Sequence, residues 1–211
     1  MTAPSSDVVA IVLAGGASSR FGSDKLAAQL DGRPLLHHAL EAVAAVADRI
    51  VVVIAPEAPS PSVPEALAAR VVVARDAATH DGPLAGLATG LVADVTRGGD
   101  GARLIALVVG GDMPTLVPVV LRLMVDRLAA DPTLAAMTLA ASRPAPLPMA
   151  MRPAAAHGAI EAILASGGRR SLLALLEAVP SAAVPGDDWR ALDPAGATLR
   201  DVDTPTDLQG V

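Results

Sequence analysis

Val8-Val9-Ala10-Ile11-Val12-Leu13 runs without a charge into Ala14-Gly15-Gly16. A short apolar run, rich in β-branched residues and stopped by glycine, reads as a strand buried on both faces, the habit of a parallel sheet covered by helices. The same pattern recurs at Ile50 to Ile54, at Val71 to Val73 and at Leu104 to Val109, the last stopped by Gly110-Gly111. Between these runs lie helical spacings: Leu36, Leu40, Val43 and Val46 behind Pro34, a segment from Pro83 through Leu91, and Val117, Val120, Leu121, Met124 and Leu128 around Pro118. Strand, loop and helix alternate, which predicts an α/β fold, a Rossmann-like three-layer sandwich with a mostly parallel sheet. Such sheets bind ligands beyond the carboxyl ends of their strands, so the loops after the first and fourth runs are where a site is expected.

From Ala136 the rhythm changes to a short strand reaching Ala141, a Pro-rich turn, Leu147 to Met151, and helices around Ile160 to Leu164 and Leu172 to Leu176. The chain therefore divides into a main part to about residue 135, a small inserted β/α section over 136–198 that reads as a lid or substrate-binding part, and a close over 199–211. In that close Leu199 to Val202 is expected to rejoin the sheet as a last strand, and Thr204-Pro205 to cap a short helix.

Composition narrows the function classes. The 211 residues are 52% hydrophobic, enough for one domain with a full core. Mean hydropathy is +0.50, yet Gly or charge interrupts every apolar run well before the ~20 residues that a spanning helix needs. No Lys or Arg precedes the first apolar run to make the basic region of a signal peptide, so a cytoplasmic protein is expected. Cysteine is absent, which removes disulfides, thiolate metal sites and Cys nucleophiles together. A net charge of −6 and 1% aromatic residues argue against nucleic acid as a partner, because that needs a basic face or stacking platforms. Any phosphate site must be local. A monomer or weak oligomer is expected.

The loop leaving the first strand is that kind of site. Leu13-Ala14-Gly15-Gly16-Ala17-Ser18-Ser19-Arg20-Phe21-Gly22-Ser23-Asp24-Lys25 holds three glycines, three serines and two cations. Glycines allow the backbone N–H groups to close on an oxyanion, while Arg20 and Lys25 neutralise it, an arrangement suited to a triphosphate. Walker spacing is missing, since Ser23-Asp24 rather than Lys-Ser/Thr follows Gly22, and the dinucleotide fingerprint with Gly at positions one, three and six is missing too. The plain reading is a flexible Gly/Ser loop with incidental charges.

This run, completed by Gly32-Arg33-Pro34-Leu35, resembles the signature of the molybdenum cofactor guanylyltransferases and their nucleotidyltransferase relatives. The resemblance implies that Leu13, Ala14, Gly15 and Gly16 wrap a nucleotide, that Lys25 contacts its phosphates, and that Arg20 assists. It makes the part up to residue 135 nucleotide-binding and the 136–198 section acceptor-binding. Gly82-Pro83-Leu84-Ala85-Gly86 resembles the family's second motif, and Asp76 upstream is then associated with the nucleotide; guanine presents N–H donors that need an acceptor, for which Asp76 or loop carbonyls are candidates. Without the resemblance, Asp81 reads as an ordinary N-cap ahead of Pro83. Gly110-Gly111-Asp112-Met113-Pro114 resembles the Asp-Met-Pro element whose Asp holds magnesium, which implies Mg²⁺ on Asp112, with Asp203 as a second ligand. The local alternatives are helix capping by Asp112, and by Asp203 or Thr204. Mg²⁺ is commonly held by one or two carboxylates plus phosphate oxygens, so a lone strand-end Asp is sufficient. The chain departs from the family pattern at Ile54-Ala55-Pro56, where Asn is frequent, at Gly110-Gly111 in place of Pro-Cys, and at Asp203 in place of Asn.

His37, His38, His80 and His157 show no metal spacing. Arg152, Arg169 and Arg170 are candidates for an acceptor phosphate or simply solvated, and Trp189 has no role assigned. The resemblance thus implies transfer of GMP from GTP to a phosphorylated acceptor, molybdopterin above all, with release of pyrophosphate. Alternatives are a cytidylyltransferase or sugar-phosphate nucleotidyltransferase, a non-catalytic nucleotide-binding protein, and a dinucleotide-dependent oxidoreductase.

Overall fold

In the computed structural model, residues 7–15, 25–77, 82–95, 104–166 and 170–209 are described. Their elements follow in order as β1 (Val8–Leu13), a short ribbon of β2 (Gln29–Leu30) and β3 (Arg33–Pro34), α1 (Leu35–Ala44), β4 (Arg49–Ile54), β5 (Val71–Arg75), α2 (Pro83–Val95) and β6 (Ile105–Gly110). Then come α3 (Pro118–Ala130), β7 (Ala136–Leu139), β8 (Met149–Met151), α4 (Pro153–Ala165), α5 (Leu172–Ala178), β9 (Ser181–Val184) and α6 (Gly186–Arg190).

Seven strands form one sheet in the order β5-β4-β1-β6-β8-β7-β9. All neighbours are parallel except β8, which runs antiparallel to both β6 and β7. Strand alternation sends Ala10, Val12, Ile50, Val52, Leu107 and Val109 to one face, where Leu36, Leu40 and Val43 of α1 and Val120, Leu121 and Met124 of α3 cover them. Val9, Ile11, Val51, Val53, Ala106 and Val108 point to the other face, under α2, α4 and α5. Both faces are dry, so the strands carry continuous apolar runs rather than an alternation. The three-layer sandwich expected from the sequence is the one observed.

The section after residue 136 adds β7, β8 and β9 to the same sheet. One expectation changes. Leu199 to Val202 is not a strand: residues 197–199 make a 3₁₀ turn, and the N–H of Val202 donates to Asp112 O at 2.9 Å, in a loop rather than a ladder. At the terminal turn Asp207 reaches back, and its Oδ2 accepts from the N–H groups of Asp203 (2.9 Å) and Thr204 (2.7 Å) while its own N–H donates to Thr204 O at 3.0 Å, the reach-back half of a capping box headed by Thr204.

Candidate active site

After β1 the chain goes to β4 and β5 on one side, then returns to place β6 on the other, so order reverses between β1 and β6. That switch point leaves a crevice beyond the carboxyl ends of the two strands, where ligands of such sheets bind. Here Gly111 N–H donates to Leu13 O at 2.9 Å, and Ala14 N–H to Val53 O at 2.7 Å, tying the loop after β1 to both neighbours. A Cβ on Gly15 would stand 3.2 Å from Ala55 N, and one on Gly111 would stand 3.3 Å from both Leu26 Cδ2 and Leu36 Cδ1. The backbone is packed tightly because these positions carry no side chain. Gly16 and Arg20, the other members of the proposed cradle, lie outside the described residues, as do Asp81, His80 and Arg169.

Lys25 opens a 3₁₀ turn at Lys25–Ala27, followed by the β2–β3 ribbon. The ribbon's connection is Asp31-Gly32, both at positive φ (50° and 73°), the backbone of a two-residue hairpin turn. Leu35 N–H then donates to Ala28 O at 2.9 Å, fixing the Lys25 turn to the start of α1. From this base the Lys25 ammonium reaches across to Asp112 Oδ2 at 2.8 Å and Asp203 Oδ1 at 3.0 Å. Its side chain is 11% exposed, against 31% for Asp112 and 56% for Asp203. Burial works to lower the Lys25 pKa, but the hydrogen bonds to Asp112 and Asp203 and their charges outweigh it, so it lies above its ordinary value and the ammonium stays charged.

Asp112 can occupy this place because Gly110 has no side chain: its carboxylate Oδ1 lies where a Cβ on Gly110 would sit. Asp203 is delivered by the chain end. Thr115 Oγ1 donates to Ala197 O at 2.8 Å, Val117 N–H to Thr198 Oγ1 at 3.3 Å, and Val202 is wholly buried between these ties and Asp112. Asp201 flanks the same spot, and its carboxyl is pushed up, by desolvation first and then by repulsion from Asp203 and Asp112. The cluster is thus rich in negative charge, with Lys25 balancing part of it.

Does this donor set suit magnesium? Two oxygens that bond one nitrogen stand close to each other, and the ammonium between them occupies the position that suits a cation. Among the described residues no three Asp, Glu or His converge as a ready-made cage. Mg²⁺ needs no such cage, being commonly bound through one or two carboxylates with phosphates and water completing the octahedron. The residues fit.

Asp76 directly follows β5, and its N–H extends the ladder by donating to Ile54 O at 2.9 Å. Its Oδ1 accepts from the Thr89 hydroxyl at 2.8 Å, and its Oδ2 lies 3.4 Å from where a Cβ on Gly86 would be, as does Leu13 Cδ2. Asp76 and the end of β1 therefore meet over the first turns of α2. Gly82 has φ +85°, and a Cβ there would be 2.6 Å from Arg170 O, so the close passage of residue 170 is by itself sufficient reason for glycine. Arg152 is not at the crevice: its guanidinium caps the end of α3, donating to Leu128 O at 2.6 Å and Leu134 O at 3.2 Å. Thr89 was not singled out in the sequence, since a threonine inside a helix gives no signal by itself.

Residues 10–181 match the family model described as MobA-like NTP transferase domain. This chain belongs to that family. It is 30% identical over 209 residues to a probable molybdenum cofactor guanylyltransferase of Chloroflexus aggregans, with 94% of this chain and 90% of the relative covered. A protein of the same description from Pyrococcus horikoshii is 34% identical over 111 residues, 53% of this chain and 51% of the relative. The chain spans about half the length of these archaeal relatives in the region it matches. In fold it is similar to molybdopterin-guanine dinucleotide biosynthesis protein A of Archaeoglobus fulgidus, with TM-score 0.73, 24% identity and 96% and 95% of the two chains covered. It is similar in the same sense to 2-C-methyl-D-erythritol 4-phosphate cytidylyltransferase of Thermus thermophilus, with TM-score 0.64, 17% identity and 94% of each chain covered. The MobA-like family membership agrees with the motifs around Gly15, Gly82 and Asp112, and the fold alone is shared with the cytidylyltransferase.

Proposed function

We propose that this chain is a molybdenum cofactor guanylyltransferase, which moves GMP from GTP onto the phosphate of molybdopterin and releases pyrophosphate. The observation that carries the reading is the Lys25 ammonium held jointly by Asp112 and Asp203 beyond the carboxyl ends of β1 and β6. A site holding a fixed cation and two carboxylates beside a glycine-rich turn suits a triphosphate and its counter-ion. The similarity to a probable molybdenum cofactor guanylyltransferase of Chloroflexus aggregans supports the choice of guanine and of the molybdenum cofactor.

An acceptor phosphate has a second pKa of about 6 and is largely dianionic at neutral pH. One of its oxygens attacks the α-phosphorus of GTP, the bond from that phosphorus to the bridging oxygen breaks, and pyrophosphate leaves with that electron pair. No general base is needed. Asp112 and Asp203 would hold Mg²⁺, which supplies charge neutralisation on the phosphates when bound. Lys25, kept charged by its surroundings, contacts the phosphates and offsets the charge that builds on the transferring group. Leu13, Ala14, Gly15 and Gly16 line the nucleotide, Arg20 assists Lys25, and Gly82 shapes the turn before α2. Asp76 accepts from the base. The 136–198 section takes the acceptor. Among the described residues no helix is long and apolar enough to cross a membrane, and we place the reaction in the cytoplasm.

Pyrophosphate release with molybdopterin and Mg²⁺, compared for GTP and CTP, tests the reading. Preference for GTP and a ~10²–10³-fold loss of turnover in Lys25→Ala are expected, the usual consequence of losing one preorganised charge donor. Preference for CTP would move the chain to the cytidylyl branch. Near-normal turnover in Lys25→Ala would remove that residue from the chemistry.

A further inference from the structure

Helix α2 lies close on the sheet. A Cβ at Gly90 would stand 2.7 Å from Ile11 Cγ2 and 3.1 Å from Val53 Cγ2, so glycine is what lets this helix settle onto β1 and β4. Gly86, one turn earlier on the same face, lies under Asp76 and Leu13, where a Cβ would stand 3.4 Å from Asp76 Oδ2 and from Leu13 Cδ2. Thr89, at i+3 from Gly86, is thereby brought within reach of the end of β5, and its hydroxyl donates to Asp76 Oδ1 at 2.8 Å. A helical threonine commonly returns its hydroxyl to the carbonyl one turn back. Thr89 gives it to a carboxylate on another element instead. Asp76, for its part, accepts from no backbone N–H of the first turn of α2 among the described residues, as a capping carboxylate would. Its Oδ2 accepts no hydrogen bond among those residues either.

We propose that Thr89 is a positioning residue that sets base selectivity by fixing the orientation of the Asp76 carboxylate. The inference rests on reading Asp76 as the acceptor for guanine. With Oδ1 held by the hydroxyl, the carboxylate cannot turn freely and Oδ2 is presented to one side. An ionised carboxylate only accepts, so it rewards a base edge that carries N–H donors and repels one that presents a bare ring nitrogen, as adenine and cytosine do. A site built to satisfy a donor discriminates strongly against an analogue that lacks it. If the carboxylate swings, that discrimination weakens while phosphate binding, which is carried by other residues, stays as it was.

Calorimetric titration of the full chain with GTP, ATP and pyrophosphate in Mg²⁺ tests this for wild type, Thr89→Val and Thr89→Ser. Thr89→Val keeps the shape and removes the hydroxyl; it should weaken GTP about tenfold, leave pyrophosphate unchanged and so lower the GTP-over-ATP ratio about tenfold. Thr89→Ser should restore the ratio. Thr89→Ala, a better helix former, should reproduce the valine result and replaces it if that variant is unstable. A wild type that prefers GTP with an unchanged ratio in Thr89→Val overturns the role of Thr89 alone, as does a parallel loss of GTP and pyrophosphate. A wild type with no preference for GTP overturns the guanine reading itself.

Discussion

Asp193 is 4% exposed, and its carboxylate accepts from the N–H of Ala197 at 3.0 Å and of Thr198 at 2.8 Å. Desolvation pushes its pKa up, but those hydrogen bonds outweigh it, and the net displacement is below its ordinary value of 3.8. The folded value is therefore the lower one: the stabilisation is fully present above the unfolded pKa and disappears as pH falls through the folded pKa. Asp193→Ala should cost about 1–3 kcal/mol in urea denaturation at neutral pH, since two backbone donors lose their acceptor. The gap between variant and wild type should begin to narrow below about pH 4. Because Thr198 in turn holds Val117 beside the loop of Asp112, turnover should fall along with stability. At this scale Lys25 and Asp112 were legible as residues of chemical interest because charge is scarce in glycine-rich turns after apolar strands, whereas Asp76 was singled out only through the resemblance of the nearby motif. Thr89 and Asp193 were not, since a hydroxyl in a helix and an Asp near a chain end carry no periodicity, only partners that folding supplies. Arg152 reads as a phosphate ligand or a solvated arginine until the end of α3 is seen beside it.

Among the elements, α2 depends on its glycines in opposite ways from α4. Alanine favours a helix by up to about 1 kcal/mol over glycine. At Gly90 a methyl would meet stiff β-branched side chains of Ile11 and Val53, and overpacking costs about 1–3 kcal/mol, so Gly90→Ala should lower the melting temperature. At Gly158, inside α4, nothing lies within 4 Å of the added carbon, so Gly158→Ala should raise it. Scanning calorimetry of both variants checks the contrast. Strands β1, β4, β5 and β6 announced themselves as dense apolar runs, whereas β9, Ser181-Ala182-Ala183-Val184, is built from small residues and went unread. The turn Asp31-Gly32 carried a hairpin signal that the larger motif around Pro34 obscured. Leu199 to Val202 had the composition of a strand, but the N–H groups of Leu199, Arg200 and Val202 donate to Gly196, Ala197 and Asp112 rather than to a neighbouring strand.

At the scale of the molecule, the amino ends of the strands, opposite the site, are tied by Arg49, which donates to Asp94 at 2.8 and 3.1 Å and to Asp7 at 3.0 Å. Asp94 is 1% exposed, so removing its partner strands a buried charge. Arg49→Met should cost about 3 kcal/mol in urea denaturation, the low end for such a loss because the guanidinium is partly open to solvent. Turnover under folding conditions should change little, as the tie lies at the opposite ends of the strands from Lys25. The succession of strands and helices, the two dry faces and the expectation of a site at the carboxyl ends follow from patterns written along the chain, because hydrophobic periodicity is a local property that each segment carries alone. Which carboxylate meets Lys25, which helix lies close enough for Thr89 to touch Asp76, and where the chain end crosses the mouth of the site were decided only when distant segments packed. Those contacts join residues as far apart as Lys25 and Asp203, and no local signal encodes a distance between them.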